Sequence, residues 1–421
     1  MKFLLISIFS VAFCSSSIAQ TYIDFYNRGM EAYEQQNYKQ FLKSFTKADS
    51  LRPNHRILLY NLAAAYALTN QPEKAYEVLS KRIKFYAVND FNEDKDFSKL
   101  AESEYIQQLE ENIENANSPN RRSIKAFEVD IIGFHAEGIE YEKETNRFYI
   151  TDIRNGWIYS VDMNGNNLRQ ELDLKNFGYW SAMGIKLDPV TPNKLWVTTS
   201  ALPNFTDYVD SLEGRSAILS FDLTTGKLLE VYKLEDEHVF GDLVIGKDGL
   251  LYISDSRQPN IYILNTKTGD LTKFISDENW WNLQGLALSS TGESLYVSDY
   301  VTGIHKVNLS TKKIEPISEM NEMLRGADGI YISGNKLYML QNGSIPKRIA
   351  SISLNESEVG ISSSINYPDN ALVELDEPTL GVVVGSHLYY IANSPWMHYD
   401  DANQPLLEKW KPTIINRLTL E

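Results

Sequence analysis

The chain has 421 residues, a length that suggests two or three domains, or one small domain beside a large repetitive one. Its 56 acidic and 40 basic residues give a formal net charge of −16. The acidic residues are scattered and there is no basic stripe, which argues against a nucleic-acid partner. A single cysteine, Cys14, excludes an internal disulfide framework and a cysteine-based zinc site.

Residues 1–19 have the order of a secretory signal peptide: one basic residue, an apolar run too short to span a bilayer, and small residues before a cleavage site after Ala19. We therefore expect an exported protein, periplasmic or secreted. Cys14 raises the alternative of a lipoprotein, but the bulky Phe13 stands where a small residue is usual. The sequence contains no other apolar run long enough for a transmembrane segment.

Residues 20–117 have apolar side chains at helical spacing and few glycines, which predicts an all-α region. Within it, YNRGMEAYEQQNYKQFLKSFTKADSLRPNH resembles a tetratricopeptide repeat, with Gly29 at a small position and Pro53 at the terminating position. A repeat period of about 34 residues places Ala63 at the position equivalent to Gly29, so both repeats have a small residue there. Two such repeats and a helical cap are few for a free-standing solenoid, so we expect this module to lean on its neighbour or on a protein partner. A generic helical bundle is the alternative.

A polar, proline-containing linker is predicted at residues 118–123, and beyond it the apolar period changes to two. Three strand types then recur, six times each. The innermost type is EGIEY, MGIKL, DLVIG, QGLAL, DGIYI and LGVVV; the next is RFYITD, KLWVTT, LLYISD, SLYVSD, KLYMLQ and HLYYIA; the third is WIYSVD, AILSFD, NIYILN, GIHKVN, RIASIS and TIINRL.

These recurrences predict one all-β six-bladed β-propeller over residues 124–421, and hence a multidomain chain of helical repeats followed by a propeller. Residues 124–130 are expected to supply the outer strand that the sixth unit lacks, which would close the ring and leave no long open edge. A two-sheet sandwich is the alternative fold.

The first residues of the innermost strands are expected to line the central channel. They are Glu137, Met183, Gly241, Gln284, Asp328 and Thr379. Aligning GDLVIGKDG with QGLALSSTG puts Gly241 at the axis and Asp242 beside it. Carboxylates as close as those of Glu137 and Asp328 cannot both stay ionised without a cation or a proton between them. Their oxygen donors suit Ca²⁺ or Mg²⁺ and not Zn²⁺, and we expect Ca²⁺ in preference to Mg²⁺.

The stretches AEGIEY, GDLVIGKDGLLYISD, LQGLALSSTGESLYVSDY and ADGIYISGNKLYM resemble the gluconolactonase, regucalcin and senescence-marker-protein family of six-bladed propellers. The resemblance implies a metal-dependent lactonase or esterase-type hydrolase. It implies that Glu137, Gln284 and Asp328 hold one divalent metal, with Asp328 or metal-bound water as the base. The sequence departs from the family pattern where Gln284 replaces an Asn and where Gly241 and Asp242 replace an Asn-Asp pair.

Loops on the same face of the predicted propeller carry aromatic and polar residues, which is typical of a pocket for a small-molecule or carbohydrate-like ligand. The candidate ligand-binding residues are Asp242, Arg154, Arg257, Trp180, Trp281 and His398. Tryptophans packed between blades and a merely solvated His398 are the alternatives.

Two functions therefore stay open. One is a metal-dependent hydrolase of lactones or related esters. The other is a non-catalytic propeller that binds a ligand or a protein, with the helical repeats as an interaction module. The sequence has no Gly-x-Ser-x-Gly elbow, phosphate-binding loop or dinucleotide fingerprint, which excludes serine-hydrolase, NTPase and NAD-dependent readings.

Overall fold

The structure is a computed structural model that describes residues 21–317, 323–356, 358–362 and 364–421. The predicted signal peptide and Cys14 lie outside the described residues. The chain divides into two compact units. The helical unit ends at Ile83 and resumes over Asn89–Ile113, and the propeller unit contains Lys84–Val88 and Glu114–Glu421. In the described ranges, none of the helices has the length and apolar character needed to cross a membrane.

The N-terminal region is helical, as predicted. Its helices are α1 (Tyr22–Glu34), α2 (Tyr38–Leu51), α3 (Arg56–Leu68), α4 (Pro72–Ile83), α5 (Ser98–Ala101) and α6 (Tyr105–Ala116). Thr21 and Asp24 form a capping box that starts α1, with the Thr21 N–H donating to the Asp24 carboxylate at 2.7 Å. A Cβ on Gly29 would lie 2.4 Å from the Phe45 ring, so this crossing of α1 and α2 requires glycine. The assignment of these helices to the tetratricopeptide class stays a prediction.

In the part of the chain that the structure describes, 24 strands form six four-stranded antiparallel sheets, the blades of a propeller. Blade one contains β2 (Ala136–Glu142), β3 (Arg147–Asp152), β4 (Trp157–Asp162) and β5 (Arg169–Asp173); blade two contains β6 (Ser181–Leu187), β7 (Lys194–Ser200), β8 (Ser216–Asp222) and β9 (Lys227–Tyr232); blade three contains β10 (Phe240–Ile245), β11 (Leu250–Asp255), β12 (Asn260–Asn265) and β13 (Asp270–Ser276).

The second half of the propeller repeats this order. Blade four contains β14 (Leu283–Leu288), β15 (Ser294–Asp299), β16 (Gly303–Asn308) and β17 (Ile314–Pro316); blade five contains β18 (Ala327–Ser333), β19 (Lys336–Gln341), β20 (Arg348–Ser353) and β21 (Asn366–Asn370); blade six contains β22 (Gly381–Val384), β23 (His387–Ile391), β24 (Thr413–Thr419) and β1 (Ile124–Val129). Because β1 pairs with β24, the first strand of the propeller completes its last sheet and closes the ring.

The hydrophobic core lies between the blades. Phe148 and Ile150 of β3 pack against Tyr389 and Ile391 of β23, and equivalent clusters fill the other junctions between neighbouring blades. Every residue of β3 is buried, because a middle strand has a neighbouring blade on each face. This double burial explains the apolar runs of the second strand type.

The acid that ends three of these second strands fixes the loops of one propeller face. The Asp152 carboxylate accepts backbone N–H groups from His135 at 3.2 Å and Arg154 at 2.9 Å. Asp255 and Asp299 bind the corresponding loops of blades three and four in the same way. Each carboxylate thus joins the loop that enters the innermost strand to the loop that leaves the second strand, and so sets where each innermost strand begins.

Candidate functional site

The innermost strands reach the channel at equivalent positions. In β10 Phe240 pairs with Asp255, and in β14 Leu283 pairs with Asp299, so Gly241 and Gln284 occupy the same position in their blades. The same pairing pattern in β2 and β18 places Glu137 and Asp328 at that position. The register derived from the sequence, with Gly241 rather than Asp242 at the axis, agrees with these pairings.

The residue after each axial position lies against the next blade and is usually glycine. A Cβ on Gly285 would lie 2.2 Å from the backbone oxygen of Asp328, so no other residue fits there without rearrangement. In blade three Asp242 occupies this place. It is 8% exposed, and its carboxylate accepts the backbone N–H of Leu286 in blade four at 3.0 Å. Asp242 therefore lies between blades three and four. Its predicted contact with a ligand at the mouth stays a prediction.

Glu137, which is buried, and Asp328, which is partly buried, are acids at the channel mouth, each held by a side-chain N–H group. Trp396 donates its indole N–H to Glu137 at 2.8 Å, and Asn342 donates its amide N–H to Asp328 at 2.9 Å. Burial and the nearby Asp328 carboxylate raise the pKa of Glu137 well above its usual range. Burial raises the pKa of Asp328 to about 7, although the hydrogen bond from Asn342 opposes this shift.

The other axial side chains contribute little negative charge. Gln284 donates its amide N–H to Asn282 at 2.6 Å, and its amide oxygen is 4.0 Å from the place of a Cβ on Gly241. Met183 is buried and apolar, and the Thr379 hydroxyl donates to the backbone oxygen of Glu137 at 3.1 Å. The axial ring therefore offers two carboxylates and one amide oxygen.

This donor set is compatible with a hard cation such as Ca²⁺, which takes carboxylate, amide and water oxygens together. Among the described residues, no group of three or more His, Cys, Asp and Glu side chains is arranged to hold a metal ion. A cation at this mouth would therefore depend on Glu137, Asp328, the amide oxygen of Gln284 and water.

A second polar layer lies deeper in the channel. The Lys186 ammonium is 3.3 Å from the Glu140 carboxylate, and Gly381 donates its backbone N–H to the Tyr331 hydroxyl. Burial opposes the charge on Lys186, but the Glu140 and Asp242 carboxylates raise its pKa. Burial and the Asp242 carboxylate raise the pKa of Tyr331 well above its usual range. This layer places one cation beside its two acids, Glu140 and Asp242.

Sequence reasoning missed Glu140, Lys186 and Tyr331. Each stands three residues after an axial residue, at the end of a bulge that interrupts the pairing of its innermost strand. That constant spacing was visible in the sequence and is the pattern by which this layer could have been found.

Two side-chain contacts are made by Asp376 and Glu377, which precede the innermost strand of blade six. Lys347 contacts Glu377 at 3.0 Å, and the predicted ligand residue His398 contacts Asp376 at 2.6 Å. Tyr399, in the same loop as His398, is hydrogen-bonded to the buried His135 at 2.7 Å. Burial, with the positive charge of Arg154 adding to it, lowers the pKa of His135 to about 3, so this imidazole is neutral.

The remaining predicted ligand residues are dispersed. Arg257 forms ion pairs with Glu213 at 3.0 Å and Glu237 at 2.5 Å. Trp180 is half-buried and packs on the core between blades one and two, whereas Trp281 is 44% exposed. The structure thus brings Glu137, Gln284 and Asp328 together at the axis, while the ligand roles of these outer residues stay predictions.

No protein-family model and no curated protein sequence matches the chain. Solved structures do resemble it. Regucalcin from Agrobacterium tumefaciens str. C58, described as a calcium-binding protein, aligns with a TM-score of 0.50 and 14% identity over 70% of this chain and 94% of its own. The PQQ-bound aldose sugar dehydrogenase from Streptomyces coelicolor aligns with a TM-score of 0.50 and 12% identity over 72% of this chain and 99% of its own. At such identities the similarity shows the fold alone, and together with the six sheets it shows a six-bladed β-propeller.

Proposed function

We propose that the propeller binds a divalent cation, Ca²⁺ in preference to Mg²⁺, at the channel mouth and hydrolyses a lactone or related ester there. One observation carries this proposal. Glu137 and Asp328 occupy equivalent axial positions in different blades, and both have pKa values shifted upward: burial and the Asp328 carboxylate disfavour ionisation of Glu137, and burial and the Glu377 carboxylate disfavour ionisation of Asp328. Two acids in this state gain most from a cation that neutralises both.

The residues that would hold the cation are already fixed by their neighbours. Trp396 donates to one oxygen of Glu137 and Asn342 donates to one oxygen of Asp328, and these hydrogen bonds restrain both carboxylates. The amide oxygen of Gln284 completes the protein donor set on the side left open by Gly241. A cation bound there would supply Lewis-acid polarisation of the ester carbonyl.

The proton transfer that hydrolysis requires falls to Asp328. With a cation beside it, the Asp328 carboxylate would be ionised and could accept a proton from the attacking water, which is the role of a general base. The neighbouring Lys347, which bridges Asn342 and Glu377, keeps a positive charge close to the acids and limits their repulsion. Trp396 covers Glu137 and offers an apolar surface to a small cyclic ligand.

A second function, ligand binding without turnover, is favoured by the third and fourth blades. Gly241 offers no side chain at the axis, the Asp242 carboxylate accepts the Leu286 N–H, and Gln284 is one methylene longer than the Asn of the family pattern. Such a mouth would bind a cation and a ligand yet place the ester badly for attack, and misplacement near 1 Å can cost about 100-fold in rate. In either case we propose that the helical unit binds a protein partner.

Hydrolysis of a panel of small lactones, followed by proton release with Ca²⁺ or with EGTA, tests the proposal. We expect turnover only with Ca²⁺ and a loss of about 100-fold or more in Asp328→Asn. The matched control is Asp270→Asn, which changes an acid on the outer strand β13 and should keep wild-type activity. Turnover that survives EGTA or Asp328→Asn contradicts the proposal, whereas Ca²⁺ binding without any turnover supports the second function.

A further inference from the structure

A short segment between two parts of the helical unit belongs to the propeller unit. Residues Lys84–Val88 follow α4 directly, yet they cluster with the propeller. The Ala87 N–H donates to the backbone oxygen of Ile345 at 2.8 Å, and the Ile345 N–H donates to the backbone oxygen of Phe85 at 3.0 Å. These two bonds attach the segment to the loop that follows the second strand of blade five, on the face of the channel mouth.

Phe85 is the side chain that this segment places on the propeller. Its ring packs against the guanidinium groups of Arg325 at 4.3 Å and Arg348 at 5.8 Å. A Cβ on Gly326 would lie 2.7 Å from the Phe85 ring, so the ring rests directly on the backbone that leads into the innermost strand β18. Arg348 also donates to the backbone oxygen of Lys84 at 3.2 Å.

The loop that Phe85 contacts continues into the candidate cation site. Gly343 donates its N–H to the backbone oxygen of Gly326 at 3.0 Å. Its neighbour Asn342 holds the Asp328 carboxylate at 2.9 Å, and Lys347 donates both to the backbone oxygen of Asn342 and to Glu377. The segment therefore reaches the neighbour of Asn342 through two contacts. Phe85 packs on Gly326, and Gly326 is hydrogen-bonded to Gly343.

We propose that Lys84–Val88 is a positioning segment for the axial site: by packing Phe85 on Gly326 and pairing with Ile345, it holds residues 342–347 so that Asn342 reaches the axial acid Asp328. The part of the chain that supplies it lies inside the N-terminal region, so the propeller sequence from residue 124 onward is incomplete as a cation site. The effect on cation affinity rests on the proposed function, whereas the placement of Asn342 does not.

A double-mutant cycle on the full chain tests this inference. The four proteins are wild type, Phe85→Ala, Asn342→Ala and the double variant, each titrated with Ca²⁺ by calorimetry and unfolded thermally in EDTA. Since loss of a residue that orients a ligand costs about 10-fold in metal affinity, we expect that loss in either single variant and no further loss in the double variant. In EDTA, Asn342→Ala should lower the melting temperature less in the Phe85→Ala background than in wild type.

Control variants separate this role from general packing. Phe274 also stacks on a cation, Lys312 at 5.0 Å, but lies on the outer strand β13, so Phe274→Ala should lower the melting temperature and leave Ca²⁺ affinity unchanged. Phe85→Leu keeps an apolar side chain on Gly326 and should restore much of the affinity.

The outcomes are distinguishable. Additive losses in affinity, or additive changes in melting temperature, overturn the inference. If wild type binds no Ca²⁺, the proposed function fails, and the melting-temperature cycle alone decides whether Phe85 acts through Asn342. If Phe85→Ala is too unstable to study, Ala87→Pro, which removes the N–H that donates to Ile345, replaces it in the same cycle.

Discussion

The two polar layers of the channel differ in charge balance. At the mouth, Glu137 and Asp328 face each other and both have raised pKa values. In the deeper layer, Glu140 and Asp242 flank Lys186, whose ammonium is 3.3 Å from Glu140. Both layers are built on the same innermost strands, so the difference comes from side chains and not from the fold. The deeper layer contains its own cation, Lys186, whereas the mouth gains from a cation supplied from outside.

The largest expected effect comes from breaking the inner layer. Lys186→Met leaves Glu140 and Asp242 without their cation in a buried site and should lower the free energy of unfolding by about 3–5 kcal/mol. Chemical denaturation at pH 7 measures this loss. Glu140→Gln in the same background should recover part of it, since it removes one of the two uncompensated acids. If Lys186→Met lowers the free energy of unfolding by less than about 1 kcal/mol, Lys186 does not stabilise the two acids of the deeper layer.

Removal of an acid at the mouth should stabilise the protein, unlike removal of the cation from the deeper layer. In the cation-free protein at pH 8, Asp328→Asn removes a charge whose repulsion and burial are unfavourable, and should raise the free energy of unfolding by about 1–3 kcal/mol. Denaturation in EDTA provides the measurement. Asp299→Asn is the control, because that buried acid accepts backbone N–H groups from Trp281 and Val301 and its substitution should destabilise the protein. If the two substitutions change the free energy of unfolding in the same direction, the comparison between the layers is contradicted.

The same comparison predicts a pH dependence. The folded-state pKa of Asp328 is about 7, above the value near 3.9 of an unfolded Asp, so the folded protein binds more protons between these two values. The contribution of this group to stability is therefore fully present below pH of about 4 and is lost as the pH rises through about 7. Saturating Ca²⁺ at pH 8 should restore stability to wild type and not to Asp328→Asn. A stability that rises across this window for wild type but not for Asp328→Asn would contradict the assignment.

A smaller effect is expected at Gln284. Gln284→Ala removes the amide oxygen from the donor set and leaves both carboxylates, so Ca²⁺ affinity should fall about tenfold, or about 1.4 kcal/mol. Gln284→Asn tests whether the longer amide is misplaced, and should bind Ca²⁺ at least as well as wild type. Calorimetric titration of both variants decides this. Unchanged affinity in Gln284→Ala would exclude the amide from the site.

The period-two pattern was enough to predict the six blades and the axial positions, because each innermost strand carries an apolar pair and begins at the same place in its unit. It also placed Gly241 opposite Gln284. The deeper layer was missed because Lys186 in MGIKL looks like an ordinary outward-facing polar residue, and only the bulge after Met183 brings it into the channel. Segment 84–88 could not be found from sequence, since its role depends on contacts with residues more than 200 positions away.

The outer ligand predictions illustrate a different limit. Arg257 was placed near the mouth by its loop, but Glu213 and Glu237 from two other loops bind its guanidinium group. His398 was predicted to contact a ligand at the mouth, and its ring contacts Asp376 from another segment. Local sequence predicts which face a residue is on, but the partner of a charged side chain is set by loops that meet only in the folded chain.

The central claim is that the mouth acids hold a cation. Calorimetric titration of metal-stripped protein with Ca²⁺ and Mg²⁺, beside the Glu137→Gln, Asp328→Asn double variant, tests it most directly. We predict binding of Ca²⁺ in preference to Mg²⁺ by wild type, release of protons on binding near pH 7, and no binding by the double variant. Absence of binding to wild type at millimolar Ca²⁺, or binding that persists in the double variant, would contradict the claim.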